Sequence, residues 1–294
     1  MNSPQGVNVH DPQYREAKQP QGNPATPVAQ LFQLNDRTVI VTGASGFLGV
    51  QAATAILESG GDVVGLDILA SPRSAAWAAV EESAKTHGRG LWYFACNVVD
   101  ENAVAAVFTD IAKAITHPIR GLVACAGRSI SGPATEFAAK DFRALVDLNL
   151  MGTFLVARAT ARAVQATGAS TFASFVLVAS MSGHVSNKGT NTAAYCASKA
   201  AVHQLARSLA AEWGSRPGIP LIRVNTLSPG YIRTVATEAA LKRPGVEAQW
   251  TGDNMLFRLS TADEFRAPIV FLLSDGSSFM TGADLRVDGG HCAW

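Results

Sequence analysis

Thr38-Val-Ile-Val-Thr42-Gly43-Ala-Ser45-Gly46-Phe47-Leu48-Gly49 reads as a strand running straight into a glycine-rich turn. Its first five residues are all β-branched and do not alternate with polar ones, as expected of a strand covered on both faces of a parallel sheet. Glycines then recur at every third position, and Val50 to Ser59 carries a helical pattern. A glycine turn between strand and helix leaves bare backbone N–H groups at the positive end of the helix, where a pyrophosphate binds. Gly43, Ser45, Gly46, Phe47, Leu48 and Gly49 are therefore the expected cradle of a dinucleotide.

Outward from this turn, strand and helix patterns alternate. Asp62-Val-Val-Gly-Leu66 is a strand ending at Asp67 and Ile68. A carboxylate at that spacing accepts the adenosine ribose hydroxyls and repels a 2′-phosphate, which favours NAD(H) and leaves NADP(H) open. The other reading of Asp67 is a cap on the following helix, although Ser71 and Ser74 are better placed for that. Strands at 90–96, 121–125, 175–179 and 221–227 and a closing strand within 281–290 are separated by helical segments at 101–115, 140–165, 193–213 and 262–274. This order implies an α/β fold: a single doubly wound Rossmann-type parallel sheet with helices on both faces. Ligands of such sheets lie at the strand carboxyl ends. Asn97 and Val98 would flank the adenine there, and Ala126 and Gly127 would let the cofactor approach closely.

A second stretch carries the chemistry. Ser180 follows the apolar run Phe175–Ala179, and Tyr195 and Lys199 stand at i and i+4 on one helix face. A phenol beside an ammonium, facing a strand-end serine, suits proton transfer, and the adjacent cation is expected to lower the phenol pKa. Asn149 lies inside an apolar helical segment, where its amide must find partners through a kink or a water. That makes it either structural or part of a relay. In Ser228-Pro229-Gly230-Tyr-Ile232-Arg-Thr234 a sharp turn would free the Ile232 backbone and the Thr234 hydroxyl to meet a carboxamide. Residues 235–257, less regular and bearing Trp250, Met255 and Phe257, suit a mobile lid.

Composition narrows the class. The 294 residues carry a net charge of +1 with 16% charged side chains, which argues against nucleic acid or a polybasic membrane contact. Cys96, Cys125, Cys196 and Cys292 are widely spaced, so a disulfide framework or metal site is not expected, and reduced cytoplasmic thiols are. No secretory segment and no run long enough to span a membrane is read from the sequence. Residues 1–30, rich in Pro, Gln, Asn and Gly, read as a flexible or surface-draped arm ahead of a catalytic domain at 31–294. The segments 140–165 and 193–213 have more apolar positions than one buried stripe needs, as expected if they also meet a second subunit.

Taken together, the glycine turn, the Ala126-Gly127 pair, Asn149, Ser180, Tyr195-x-x-x-Lys199, Arg223-Val-Asn-Thr-Leu-Ser-Pro-Gly230 and the closing Val287-Asp-Gly-Gly290 resemble the short-chain dehydrogenase/reductase family from Leu31 to Trp294. Ser180-Met-Ser-Gly-His184 followed by Ala-Ala-Tyr-x-Ala-Ser-Lys is most similar to its fungal mannitol, arabinitol and sorbose dehydrogenase/reductase branch. The resemblance implies Tyr195 as general acid/base, Ser180 as the hydrogen bond to the substrate oxygen, Lys199 as holder of the nicotinamide ribose, and Asn149 as the anchor of a relay water. It also implies NAD(P), a small carbonyl or alcohol substrate, and a homotetramer or homodimer.

Four positions depart from the family pattern. Phe47 stands where glycine is usual, and Cys125 where asparagine is; a small buried residue is the favoured reading of Cys125 over a reactive thiol. Asn97 replaces a common aspartate. Arg128 follows Gly127 directly, and either binds an anionic or polar substrate group or pairs with Glu136 or Asp141. Ser182 competes with Ser180 for the serine role, and His184 either lines the pocket, as favoured, or is solvated; with Arg128 and Trp250 these make up the expected substrate pocket. The leading reading is an oxidoreductase interconverting a secondary alcohol and a ketone. The alternatives are a biosynthetic reductase of a bulkier secondary metabolite, and a non-redox cyclase, isomerase or binding module that retains the cofactor fold.

Overall fold

A computed structural model describes residues 25–72, 74–168, 172–214 and 219–294. Residues 1–24 of the expected arm lie outside the described residues; its end forms a short helix, α1 (Val28–Leu31). Strands β1 (Thr38–Thr42), β2 (Asp62–Asp67), β3 (Leu91–Ala95), β4 (Ile119–Ala124), β5 (Ala173–Val178), β6 (Ile222–Pro229) and β7 (Asp284–Val287) form one sheet in the order β3-β2-β1-β4-β5-β6-β7. Every neighbouring pair is parallel. The strand order reverses between β1 and β4, and this opens the crevice in which a ligand sits.

Alternate residues of each strand feed two apolar layers. Ile40, Val64, Leu122, Phe175 and Val224 pack under α4 (Glu101–Ala114), α6 (Thr153–Ala166) and α7 (Ala193–Trp213). Val39, Val41, Val63, Val123 and Val176 pack under α2 (Phe47–Glu58), α3 (Ser74–His87) and α10 (Arg266–Leu273). Both faces are thus dry, and both periodicities, two along the strands and 3.6 along the helices, are satisfied at once.

Several elements differ from the sequence reading. Helix α2 begins at Phe47 and not Val50, with Gly46 as its extended N-cap and Gly49, the last glycine of the turn, already inside it. Helix α3 was not delineated from the sequence; its run of alanines gives little periodic contrast. The helix expected at 140–165 is divided into α5 (Ala139–Val146) and α6 by a π-helical turn, Asp147–Gly152. The segment at 262–274 opens with a 3₁₀ turn, Ala262–Phe265, before α10. The 235–257 region contains two short helices, α8 (Val235–Leu241) and α9 (Val246–Gly252). One expectation needs correction: the continuous run Ala139–Ala166 contains an 18-residue window of mean hydropathy 1.2, long and apolar enough by length and composition to cross a membrane. Half of that window is buried inside the fold, against α4 and the sheet, so core packing accounts for its apolar character.

Candidate active site

The glycine turn is a cradle because side chains would close it. Gly43 has a left-handed φ of +61°, and a Cβ there would stand 3.0 Å from the Ala126 backbone. A Cβ on Gly49 would stand 2.2 Å from the Gly43 carbonyl oxygen. Gly46 leads into α2 with no side chain capping its first N–H groups, which leaves them for an anion. The Asp67 carboxylate accepts the backbone N–H of Ser45 at 3.0 Å and of Leu69 at 3.2 Å, tying the end of β2 to the turn. It lies well before α3 begins, so the helix-cap reading falls. These residues fit a nicotinamide dinucleotide: bare N–H groups for its pyrophosphate, a carboxylate for its ribose. Ile68 is exposed beside Asp67, Asn97 is exposed at the end of β3, and Val98 is buried behind it.

Beyond the turn lies a cavity of about 450 Å³, lined by Leu48, Gly127, Arg128, Ser180, Ser182, Tyr195, Lys199 and Trp250, and on the lid side by Pro229, Gly230, Ile232 and Thr234. The expected serines, Tyr195, Lys199 and the carboxamide turn therefore meet in one place, while Asn149, Ala126, Gly43, Gly46 and Gly49 lie outside its lining. The Ser180 hydroxyl neighbours the Tyr195 phenol closely enough to oppose the rise in its pKa, and accepts the Ser182 backbone N–H at 3.1 Å. The Ser182 hydroxyl instead donates to Asn187 Oδ1 at 2.9 Å, so of the two serines it is Ser180 that acts on the phenol. Asn149 lies in the π-helical turn, fully buried. Its Oδ1 accepts the Arg128 N–H, and its Nδ2 donates to the Arg128 carbonyl and the Ser198 hydroxyl, each at 3.0 Å. The turn thus turns an amide inward to staple the end of β4 to α7. Gly127 fits between Asn149 and Lys199, where a Cβ would stand 3.1 Å from Asn149 Oδ1.

The electrostatics reverse one expectation. Burial raises the Tyr195 pKa above that of free tyrosine, and the neighbouring Ser180 hydroxyl only partly opposes it. Lys199 is itself buried, donates to the Val178 carbonyl at 2.8 Å, and sits 5.9 Å from the phenol ring centroid. Desolvation pushes its own pKa down to about 8. Burial pushes the Cys125 thiol up to about 12, which suits a small protonated side chain and not a nucleophile.

Two further positions are corrected. His184 does not line the cavity: its Nε2 lies 2.8 Å from Asp284 Oδ2, and its ring packs on His203 with centroids 4.2 Å apart. The Thr234 hydroxyl, expected to be free, caps α8 through a reciprocal pair with Thr237. Helix formation at 235 claims the group that the turn would otherwise present.

The sequence reading passed over three residues. His203, buried on the face that carries Tyr195 and Lys199, stands between the Ser180 carbonyl, 3.4 Å from Nε2, and the Thr226 hydroxyl, 3.2 Å from Nδ1. Its i+4 and i+8 spacing from Lys199 and Tyr195 was the available signal. With His184 and Asp284 it groups ligand-type atoms within 4.8 Å, but the Thr226 and Ser228 hydroxyls and His184 already occupy both Asp284 oxygens. Tyr231 stacks on Trp250 at 4.0 Å and 4°, and its hydroxyl is buried without a partner among the described residues. Arg243 lines the cavity from beyond α8. Nothing local in the sequence marks Tyr231 or Arg243, since both reach the cavity through the fold of the lid.

The family model described as enoyl-(acyl carrier protein) reductase matches residues 43–291. The chain is 62% identical over 287 residues to a short chain dehydrogenase/reductase, notP′, of Aspergillus versicolor, covering 98% of both chains. It is 34% identical to a ribulose-forming D-arabinitol 2-dehydrogenase of Candida tropicalis, over 91% of this chain and 96% of that one. Among solved structures it is similar to the NADPH-dependent 3-quinuclidinone reductase of Rhodotorula rubra, with a TM-score of 0.79 and 30% identity, covering 94% of this chain and 99% of the other. The chain belongs to the short-chain dehydrogenase/reductase family. It is an NAD(P)-dependent oxidoreductase, and the sequence resemblance to the fungal polyol branch is matched by its relatives.

Proposed function

We propose that the protein interconverts a secondary alcohol and a ketone, with Tyr195 as the general acid/base and NAD(H) as the favoured cofactor. The observation that carries this reading is that Ser180, Tyr195 and Lys199 line one cavity together with Leu48 of the glycine turn. The nicotinamide supplies or accepts the hydride. Ser180 holds the substrate oxygen, and Tyr195 gives it a proton in reduction or removes one in oxidation. A phenol whose pKa is raised holds its proton at neutral pH and can give it to the substrate oxygen in reduction. Lys199 orients the nicotinamide ribose from its fixed place on Val178, and Asn149 holds the Arg128 segment so that Gly127 stays open.

Residues 31–294 form the catalytic domain in this reading, with 235–257 as its lid. Asp67 supports NAD(H), although a reductase of the same fold, from Rhodotorula rubra, is NADPH-dependent. Free thiols at all four cysteines suit the reducing cytoplasm. Half-exposed Phe142 and Met151, on the α5 side, suit a homodimer or homotetramer contact.

Tyr195→Phe tests the assignment. Reduced-nicotinamide absorbance with a ketone panel should show turnover falling by about 10³-fold, within the range of a lost general acid, while cofactor binding persists. Turnover that survives in Tyr195→Phe would remove the phenol from the mechanism.

A further inference from the structure

We infer that the substrate carries a carboxylate, and that Arg128 is the side chain that selects it, with Arg243 of the lid as a second cation. The inference rests on the oxidoreductase reading and names the substrate class for that same cavity.

The first support is the sign of the cavity. Arg128, Arg243 and Lys199 line it, and no aspartate or glutamate does so among the described residues. Lys199 is committed to the Val178 carbonyl, so the two guanidinium groups are the cations left to meet a ligand. The second support is where Arg128 stands. Both its backbone N–H and its carbonyl are held by the one amide of Asn149, each at 3.0 Å. An arginine Cα is thereby fixed beside the reacting centre with the precision of the fold, while its side chain stays exposed.

The third support is that its intramolecular alternative is absent. Neither Glu136 nor Asp141 forms an ion pair with Arg128, whereas Arg37, Arg158, Arg233, Arg258, Arg266 and Arg286 each hold a carboxylate of their own. A planar guanidinium with no acid of its own is suited to a bidentate contact with a planar carboxylate. Trp250, Ala240, Ile232 and Met181 give the lining an apolar part that accommodates the carbon skeleton. The hydroxyls of Ser129, Ser131 and Thr190 remain for its oxygens, since the Asn187 amide and the Thr192 hydroxyl bond each other. A neutral polyol needs hydroxyls and amides; it has no use for two guanidinium groups without counter-charges.

Direct binding separates this inference from the reading on which it rests. Isothermal titration calorimetry of the protein loaded with oxidised or reduced cofactor would use acetoacetate, levulinate and benzoylformate, each beside its methyl ester. The three acids place the carboxylate at different distances from the ketone. At least one acid should bind about tenfold more tightly than its ester, which corresponds to about 1.4 kcal/mol. That preference should vanish in Arg128→Met, return in part in Arg128→Lys, and shrink with added salt. If no acid out-binds its ester, or if the preference survives Arg128→Met, the inference is overturned. A fall in cofactor affinity with an unchanged acid-to-ester ratio would also overturn it, by placing Arg128 on the cofactor phosphates. Turnover of the same ketones is scored separately: acid-selective binding without any turnover would fail the oxidoreductase reading and leave the carboxylate site standing.

Discussion

The two sides of the crevice are built by opposite rules. The nucleotide side consists of a few consecutive residues between β1 and α2, and works because side chains are missing. Gly43, Gly46 and Gly49 make room by having no Cβ, and the N–H groups of the turn do the binding. The substrate side consists of side chains delivered by Arg128, Ser180, Tyr195, Tyr231, Arg243 and Trp250, which are spread over more than a hundred residues and meet only in the folded chain. A steric rule tolerates no substitution but leaves a local signature. A converging set of side chains tolerates change and leaves none, which is how one fold serves many substrates.

Four measurements would break or sharpen that contrast. The largest effect is expected from Gly49→Ala, whose Cβ would press on backbone and not on a movable side chain. Displacing the turn should weaken cofactor binding by about 100-fold, consistent with overpacking of about 1–3 kcal/mol. Fluorescence titration with NADH reads this, and binding within a factor of about two of wild type would show that the cradle is not steric. On the other side of the crevice, Trp250→Ala removes the stacking partner of Tyr231 and loosens α9. The substrate KM should rise by about 20-fold while the cofactor Kd stays put, in keeping with a lost aromatic pair and its buried area. A matching change in cofactor affinity would deny the separation of the two sides.

Asp67→Ala belongs to the nucleotide side but acts through charge. The ratio of NADPH to NADH efficiency should rise by about tenfold with the substrate KM unaffected, as removal of a repulsion of about 1.4 kcal/mol requires. An unchanged ratio would withdraw the case for NAD(H). The smallest effect concerns Lys199, which links the two sides. Its pKa is pushed below that of free lysine, to about 8, so the ammonium is populated below that pH and lost above it. Tyr195 is pushed upward and stays protonated over the same range. Reductive kcat/KM should therefore fall a few-fold as pH rises through about 8, a limb set by the lysine. A profile flat to pH 9 or above would show that Lys199 keeps its proton in the working enzyme.

The positions of Tyr195 and Lys199 were legible because helical spacing is local, and His203 completes the same stripe one turn later. The state of these groups was not legible. Sequence neighbours suggested a cation lowering a phenol pKa; burial of both groups raises the phenol pKa and lowers that of the lysine. Desolvation depends on everything packed around a site, and no spacing rule reports it. Asn149 shows the same division. Its place in an apolar helix announced a disturbance, while the π-helical turn and its grip on Arg128 appear only in the fold.

Alternation of buried strands with helices, and glycines at every third place after β1, determined from the sequence alone a doubly wound sheet and a dinucleotide at its switch point. Both follow from local backbone geometry and from a period of apolar residues that each segment carries by itself. Tertiary structure alone decided that Ser180 and not Ser182 meets the phenol, that His184 turns to Asp284 and away from the cavity, that Thr234 spends its hydroxyl on a helix cap, and that two arginines face a cavity lined by no acid among the described residues. Each of those outcomes is a competition among partners distant in the chain, settled by which of them the packing brings within hydrogen-bonding reach.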